Sequence, residues 1–171
     1  MAHVGIITEA DRVELIDGEI VQAPSIGRRH AACVAQVTRR LTQTLGDRAL
    51  VWPQSPVRLP RDTEPQPDVT IFRLPADRYA RHPARAEDVL WLVEVADVSY
   101  RYDRYVKLPL YASAVIPEVW IIDLTHDVVE VHGQPRSRGY GSTQTVDRRG
   151  ALMPLAFDDI AIPAADILPP A

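Results

Sequence analysis

The sequence contains little cysteine and no long hydrophobic run. Its one cysteine, Cys33, has no partner for an internal disulfide and lies in an alanine-rich helical pattern, so we interpret it as a small core residue. No apolar stretch approaches the ~20 residues that a membrane helix needs, and we therefore expect no association with a membrane. Residues 1–7 lack a basic region followed by a long apolar one, which favours a cytoplasmic protein over a secreted one.

Several familiar catalytic signatures are also absent. The sequence has no Gly-x-Ser-x-Gly nucleophile motif and no glycine-rich loop of the kind that cradles phosphates. Acyl hydrolysis and nucleotide-driven chemistry therefore have no support. The spacing of His82, His126 and His132 does not match that of a zinc site.

The strong positive charge of tight nucleic-acid binders is missing as well. The chain has 19 lysines and arginines against 23 aspartates and glutamates, a net charge of −4, which argues mildly against tight DNA binding. Local clusters of basic residues are commonly solvated faces, and phosphate binding is the alternative interpretation. These clusters are Arg28-Arg29, Arg39-Arg40, the segment from Arg101 to Lys107, and Arg148-Arg149.

The overall composition is that of a soluble globular protein, with 46% hydrophobic and 25% charged residues. A length of 171 residues fits a single domain over residues 1–171 with one sizeable core. No internal repeat or low-complexity linker occurs, and the 15 prolines are scattered between the predicted elements.

The first clear structural pattern predicts a β-hairpin from Arg12 to Val21. Asp17-Gly18 suits a type I′ turn, and a two-residue turn fixes the register of the two strands. That register places Glu14 and Glu19 on one face of the hairpin. The expected pairs are Ile16 with Glu19 and Glu14 with Val21.

Hydrophobic periodicity predicts alternating helices and strands after the hairpin. The predicted helices run from Gly27 to about Leu45 and from Arg101 to Ala114, and Pro109 must fall in a first helical turn to be tolerated. The predicted strands are Leu50–Leu59, Asp68–Phe72, Val89–Val95, Val119–Leu124 and Val128–His132, with weaker strands to about Ile162. The fold class is therefore mixed α/β, a sheet flanked by helices.

Two acids and a lysine follow one another along these elements. Asp68 opens a strand, Glu94 lies inside the otherwise apolar run 89–95, and Lys107 lies on the second helix. Carboxylates at the ends of neighbouring strands can hold Mg²⁺ or Mn²⁺ against a phosphate, and a nearby lysine can stabilise the charge that develops during hydrolysis. Two structural alternatives stay open. Glu94 could pair with a nearby arginine, and Lys107 with Asp103 as an i,i+4 pair worth ~0.3–0.5 kcal/mol.

Six short motifs in this order resemble a known family. They are Glu14-Leu-Ile-Asp-Gly-Glu-Ile-Val21, His30, Gln66-Pro67-Asp68-Val69, Leu92-Val93-Glu94-Val95, Tyr102-Asp103-Arg104 with Lys107, and Ile116-Pro117-Glu118-Val119-Trp120-Ile121-Ile122-Asp123. The chain resembles the restriction endonuclease-like fold of the PD-(D/E)XK nuclease superfamily and, more narrowly, the Uma-type putative restriction endonuclease family. The resemblance implies a helix-strand-strand-strand-helix-strand core over about residues 12–132, with an N-terminal hairpin and extra C-terminal strands.

The resemblance also assigns roles to individual residues. It implies that Asp68 and Glu94 bind Mg²⁺ or Mn²⁺ and that Lys107 completes the catalytic set. The superfamily's lysine normally lies two residues past the second acid, a position that is Ala96 here, and Lys107 on the next helix fits the displaced lysine. The supporting residues that it suggests are His30, Asp97 and either Glu14 or Glu19.

The sequence departs from the family pattern at two places near these residues. The usual N-terminal helix is reduced to Thr8–Asp11, and the stretch after Glu94 lacks the family's Ser-Pro turn. In that stretch Asp97 adds a further carboxylate, which could assist metal binding or raise the pKa of its neighbours.

Two functions follow as hypotheses. The first is a Mg²⁺-dependent endonuclease that binds DNA weakly and in a salt-sensitive manner and pairs two sites in a homodimer. The second is a catalytically silent protein that kept the nuclease fold and serves as a binding or assembly module. A second motive for the homodimer is the number of apolar residues in the C-terminal third: Val128, Val129, Val131, Leu152, Leu155, Ile160, Ile162, Ile167 and Leu168.

Overall fold

A six-stranded mixed sheet is the centre of the fold in a computed structural model, which describes residues 13–22 and 26–170. Its strands are β3 (Leu50–Pro53), β4 (Val69–Phe72), β5 (Val89–Ala96), β6 (Glu118–Asp123), β7 (Val128–Arg136) and β8 (Gly139–Asp147). They lie side by side in chain order, and β5 and β6 form the one parallel pair among them. A parallel pair needs a crossover connection, which a helical segment supplies here.

The predicted hairpin forms with the predicted register. Strands β1 (Val13–Ile16) and β2 (Glu19–Gln22) pair Ile16 with Glu19 and Glu14 with Val21. Asp17 and Gly18 both have positive φ, 47° and 81°, as a type I′ turn requires. Arg12 and the predicted Thr8–Asp11 remnant lie outside the described residues.

The first helix, α1 (Arg28–Leu45), covers one face of the sheet. Its buried side chains recur at helical spacing because one stripe faces the core; they are Cys33, Val34, Val37, Leu41 and Leu45. Gly46 follows with a positive φ of 51°, which glycine adopts readily because it has no Cβ. Burial raises the pKa of the Cys33 thiol to about 12, as expected of a core cysteine.

The second helix is one continuous helical run over residues 100–113, built of three parts. These are α2 (Tyr100–Tyr102), a π-helical turn (Asp103–Lys107) and α3 (Leu108–Ser113). Pro109 lies in the first turn of the α3 segment and in the interior of the run as a whole. Proline has no N–H to donate to the preceding turn, and the wider π-helical turn directly precedes it.

Strand β3 is shorter than the sequence predicted. The run Leu50–Leu59 ends as a strand at Pro53, because Gln54 adopts a left-handed φ of 49° that breaks the extended backbone. Beyond it only isolated bridges form, one of them between Leu59 and Thr63. The segment between β4 and β5 contains two short 3₁₀ turns, Ala76–Ala80 and Ala86–Asp88.

Both faces of the sheet are buried, which explains the nearly continuous apolar sequence of β5. Trp91, Val93 and Val95 face the cluster that contains α1, whereas Leu92 and Ala96 face the cluster that contains the second helical run. Glu94 therefore points to the side of the second helical run, because side chains alternate along a strand. The predicted helix-strand-strand-strand-helix-strand order and the mixed α/β class are confirmed.

The C-terminal residues pack into the hydrophobic cluster that contains α1. They do so through β9 (Ala151–Leu152), β10 (Ile162–Pro163) and the 3₁₀ turn Ala164–Asp166. Most of the apolar residues that motivated a homodimer are thereby buried within the chain itself: Val129, Leu152, Ile160, Ile162, Ile167 and Leu168. Leu155 stays 70% exposed. Within the described residues, no helix has the length and apolar character needed to cross a membrane.

Candidate active site

Asp68, the residue directly before β4, lies across from Glu94 of the neighbouring strand β5. Val69 of β4 pairs with Val93 of β5, so the two acids occupy the next position along the pair. The Asp68 backbone N–H lies 3.4 Å from Glu94 Oε2, and the Val95 backbone N–H donates to Asp68 Oδ2 at 2.8 Å. Both acids are buried, as the sheet pairing dictates.

A cavity of about 190 Å³ opens beside these two acids, between the start of α1 and the second helical run. Six of the seven residues predicted for the site line it: Glu14, His30, Asp68, Glu94, Asp97 and Lys107. Glu19 does not, because it lies exposed on β2 while Glu14 on β1 is buried. Of the two glutamates left open by the sequence, only Glu14 therefore reaches the cavity.

Lys107 connects two of the acids. Its ammonium lies 2.9 Å from Glu14 Oε1 and 3.2 Å from Glu94 Oε1, and its side chain is 8% exposed. The i,i+4 pair with Asp103 on an exposed helix is therefore wrong, since Asp103 instead accepts a hydrogen bond from Ser99 Oγ at 2.6 Å. The arginine partner considered for Glu94 is wrong as well, because Lys107 takes that place.

Two buried side chains at the site were not predicted as site residues. The Tyr111 hydroxyl donates a hydrogen bond to Glu94 Oε1, the same oxygen that Lys107 contacts. Asp103 lines the cavity and is only 4% exposed. A signal for both exists in the sequence, because Asp103, Lys107 and Tyr111 recur at i,i+4 spacing on one side of the second helix.

His30 supports Asp68 from the other side of the cavity. Its Nε2 lies 3.0 Å from Asp68 Oδ2, and the imidazole N–H is the donor because the carboxylate can only accept. The residue is the third of α1, so packing of that helix on the sheet fixes its position. Asp97, half-buried on the loop after β5, lines the same cavity.

The site carries an excess of buried negative charge. Among the described residues that line the cavity, Glu14, Asp68, Glu94 and Asp103 are buried carboxylates, and Lys107 is the buried cation. Burial raises the pKa of Glu94, and the neighbouring acids Asp103, Asp68 and Glu14 add to the rise against the attraction of Lys107. Burial alone would lower the pKa of Lys107, but attraction to Glu94, Glu14 and Asp103 outweighs it and raises that pKa.

This charge balance fits a divalent cation. Glu14 Oε2 is a buried oxygen without a hydrogen-bond partner among the described residues, although Oε1 of the same carboxylate contacts Lys107. One buried lysine cannot balance four buried carboxylates, and buried charges are costly unless they are paired or bound to metal. Within residues 13–22 and 26–170, however, no group of three or more His, Cys, Asp or Glu side chains is already arranged to hold a metal ion. Mg²⁺ does not require such a cage, because it usually keeps several waters and binds through one or two carboxylates. The oxygen donors of Asp68, Glu94 and Glu14 suit that mode.

Comparison with known proteins gives a family and a fold. Residues 4–165 match the family model described as Uma2, putative restriction endonuclease. The chain is similar to the crystal structure of a putative nuclease belonging to DUF820 from Anabaena variabilis ATCC 29413, with a TM-score of 0.66 and 17% sequence identity. That similarity covers 91% of this chain and 88% of the other, and at this identity it shows the fold alone. No curated protein matches the sequence.

Proposed function

Because this chain belongs to the Uma2 family of putative restriction endonucleases, we propose that it is a metal-dependent nuclease that hydrolyses phosphodiester bonds of DNA. Family and fold support a nuclease. One observation supports the specific site: two buried carboxylates, Asp68 and Glu94, lie side by side on neighbouring strands beside a cavity that a buried lysine also lines.

In this proposal Asp68 and Glu94 hold Mg²⁺ or Mn²⁺, and Glu14 completes the set with its unpartnered oxygen. When bound, the metal lowers the pKa of a coordinated water and offsets the charge of the phosphate. His30 keeps Asp68 oriented through its hydrogen bond to Oδ2. That bond is made by Oδ2, so Oδ1 is the oxygen of Asp68 that we assign as the metal ligand.

Lys107 acts on the substrate. An ammonium has three N–H donors, and the carboxylates of Glu14 and Glu94 take two of them. The third can donate to a phosphate oxygen or to the attacking water, where a positive charge stabilises the charge that develops during hydrolysis. Tyr111 keeps Glu94 Oε1 occupied, which leaves Oε2 as the oxygen that faces Asp68.

A catalytically silent binding module is the second candidate, and a specific observation favours it. Lys107 already forms ion pairs with both Glu14 and Glu94, as a purely structural role would require. Metal binding separates the two functions. Calorimetry with Mn²⁺ should detect binding to the wild type and lose it in Asp68→Ala and Glu94→Ala if the nuclease proposal holds.

Cleavage of supercoiled and linear DNA in Mg²⁺ or Mn²⁺ tests the proposal directly. We expect slow nicking that EDTA stops, and near-complete loss in Asp68→Ala and Glu94→Ala, because either change removes half of the strand-borne metal ligands. Lys107→Ala should lower turnover, with stability measured in parallel because the lysine also compensates buried carboxylates. Because the protein is acidic overall, DNA binding should be weak and should fall steeply with salt.

The two hairpin glutamates provide a matched control pair. Glu14→Gln should impair cleavage, whereas Glu19→Gln, at an exposed position away from the cavity, should leave it unchanged. Equal residual cleavage by wild type and Asp68→Ala, together with no Mn²⁺ binding, would make the silent module the better account. A cut through both strands would need two such sites, which is the argument that still supports a homodimer, and light scattering tests it.

A further inference from the structure

The second helical run borders a second cavity on its other side, away from the acids. This groove, of about 300 Å³, lies between the helical run and the β7–β8 hairpin, and Arg104, Tyr105, His132, Arg138 and Tyr140 line it. Among the described residues, no aspartate or glutamate lines the groove. In a chain with a net charge of −4, a groove lined by two arginines and no carboxylate is locally positive, although Glu130 behind Arg104 offsets part of that charge.

The back of the groove is a fixed network. His132 is fully buried, with Nδ1 3.0 Å from Thr143 Oγ1 and Nε2 2.9 Å from Glu130 Oε2. Glu130 also accepts a hydrogen bond from the Tyr100 hydroxyl at 2.7 Å and lies 3.5 Å from Arg104 Nε. Glu130 is thus the acid behind Arg104, and its other contacts hold it in place.

The front of the groove is open. Tyr105 is 68% exposed although it is a large aromatic residue, and Arg138 is exposed at the turn between β7 and β8. Tyr140 is anchored from below, because its hydroxyl donates to the Ile116 carbonyl oxygen at 2.9 Å. An exposed tyrosine ring beside arginines is the combination that binds single-stranded nucleic acid, in which bases stack on aromatic rings and arginines contact phosphates.

We propose that this groove binds an unpaired segment of the substrate strand, with Tyr105 stacking on a base and Arg104 and Arg138 contacting phosphates. The inference rests on the proposed nuclease function and names the form of its substrate. Stacking on Tyr105 needs an exposed base face, which a strand has where it is not paired and stacked within a duplex. An acidic protein segment would satisfy the arginines but would gain no stacking from the tyrosine.

The groove and the active site are neighbours on one helical run. Asp103 and Lys107 line the first cavity, and Arg104 and Leu108, each one residue further, line the groove. Successive helical side chains point about 100° apart around a helix about 10 Å wide. The two cavities therefore lie on adjacent sides of one helical run, and a single strand can contact both.

Binding of labelled single-stranded and duplex DNA of one sequence, measured by fluorescence anisotropy in Ca²⁺, tests this assignment. Tyr105→Ser should weaken single-strand binding about 5- to 150-fold, the value of one base–aromatic stack, while Tyr105→Phe retains it. Arg138→Gln should reduce the slope of log affinity against log salt by about 0.7. Arg39→Gln, on the exposed side of α1 across the sheet, is the control and should change the affinity little.

The result separates the groove from the nuclease proposal. If Tyr105→Ser binds the single strand as wild type does, or loses single-strand and duplex affinity equally, the groove assignment is overturned even when the wild type cleaves DNA. The wild type could also fail to cleave DNA while Tyr105→Ser and Tyr105→Phe bind as expected. In that case the groove assignment stands and the catalytic proposal fails. No measurable binding of either DNA by the wild type would overturn the groove as well.

Discussion

Asp103→Asn should stabilise the protein at neutral pH, because it removes a carboxylate that is costly to ionise where it is buried. Burial raises the pKa of Asp103 from its ordinary value of 3.8 to about 6, against the attraction of Lys107 and the hydrogen bond from Ser99. That difference corresponds to about 3 kcal/mol of unfolding free energy. Asparagine keeps a side-chain oxygen that can accept the Ser99 hydrogen bond, so the charge is the main change.

The sign of the pH dependence follows from the two pKa values of Asp103. Below pH 3.8 the Asp103 carboxyl group is protonated in both the folded and the unfolded chain, so no unfolding free energy has yet been lost through its ionisation. As the pH rises towards about 6, the unfolded chain releases the proton first, and the wild type loses stability relative to the variant. Above about 6 the difference between the two proteins stays constant.

Urea unfolding followed by tryptophan fluorescence, at about pH 4 and about pH 7 with EDTA present, measures this difference. Trp91 and Trp120 are buried and in contact, so their emission should respond to loss of the core. Asp77→Asn removes the same charge at an exposed position and serves as the matched control. A gap between Asp103→Asn and the wild type that stays constant or shrinks as the pH rises would refute the reasoning.

Two further predictions concern Glu94. Tyr111→Phe should destabilise the fold by about 1–3 kcal/mol, because it removes a donor from a buried carboxylate, and should lower cleavage; urea unfolding and a DNA nicking assay measure the two effects. Mn²⁺ affinity measured by calorimetry should rise with pH, because burial raises the pKa of Glu94 and its proton must leave before the carboxylate can bind metal. Affinity that is independent of pH would contradict the assignment of Glu94 as a ligand.

In the hairpin, the strand register could be predicted from the sequence, but the glutamate that reaches the cavity could not. The Asp17-Gly18 turn fixed the register, since few two-residue turns match the twist of paired strands. The choice between Glu14 and Glu19 depended on how the hairpin docks on the rest of the chain. The Glu14 carboxylate accepts a hydrogen bond from the Gln66 backbone N–H at 2.8 Å, a contact between residues 52 positions apart that local patterns do not contain.

The second helical run marks a different limit. Its position was predicted from hydrophobic periodicity, but the π-helical turn that precedes Pro109 was not. The ion-pair partners of Lys107 were not predicted, because i,i+3 and i,i+4 spacing relates it only to residues on its own helix, such as Asp103. Its actual partners, Glu14 and Glu94, come from the hairpin and from β5, and only the assembled fold brings them together.

The position two residues past Glu94 explains why a lysine from a helix can serve this site. Residues 94 and 96 of a strand point to the same side of the sheet, so a lysine at 96 would emerge next to Glu94. Here Ala96 is fully buried and belongs to the cluster that contains Leu108 and Tyr111 of the second helical run. Alanine at this position carries no charge, and the Lys107 ammonium, on the helical run, lies 3.2 Å from Glu94 instead. The helical run thus supplies, beside Glu94, a positive charge that the strand does not carry.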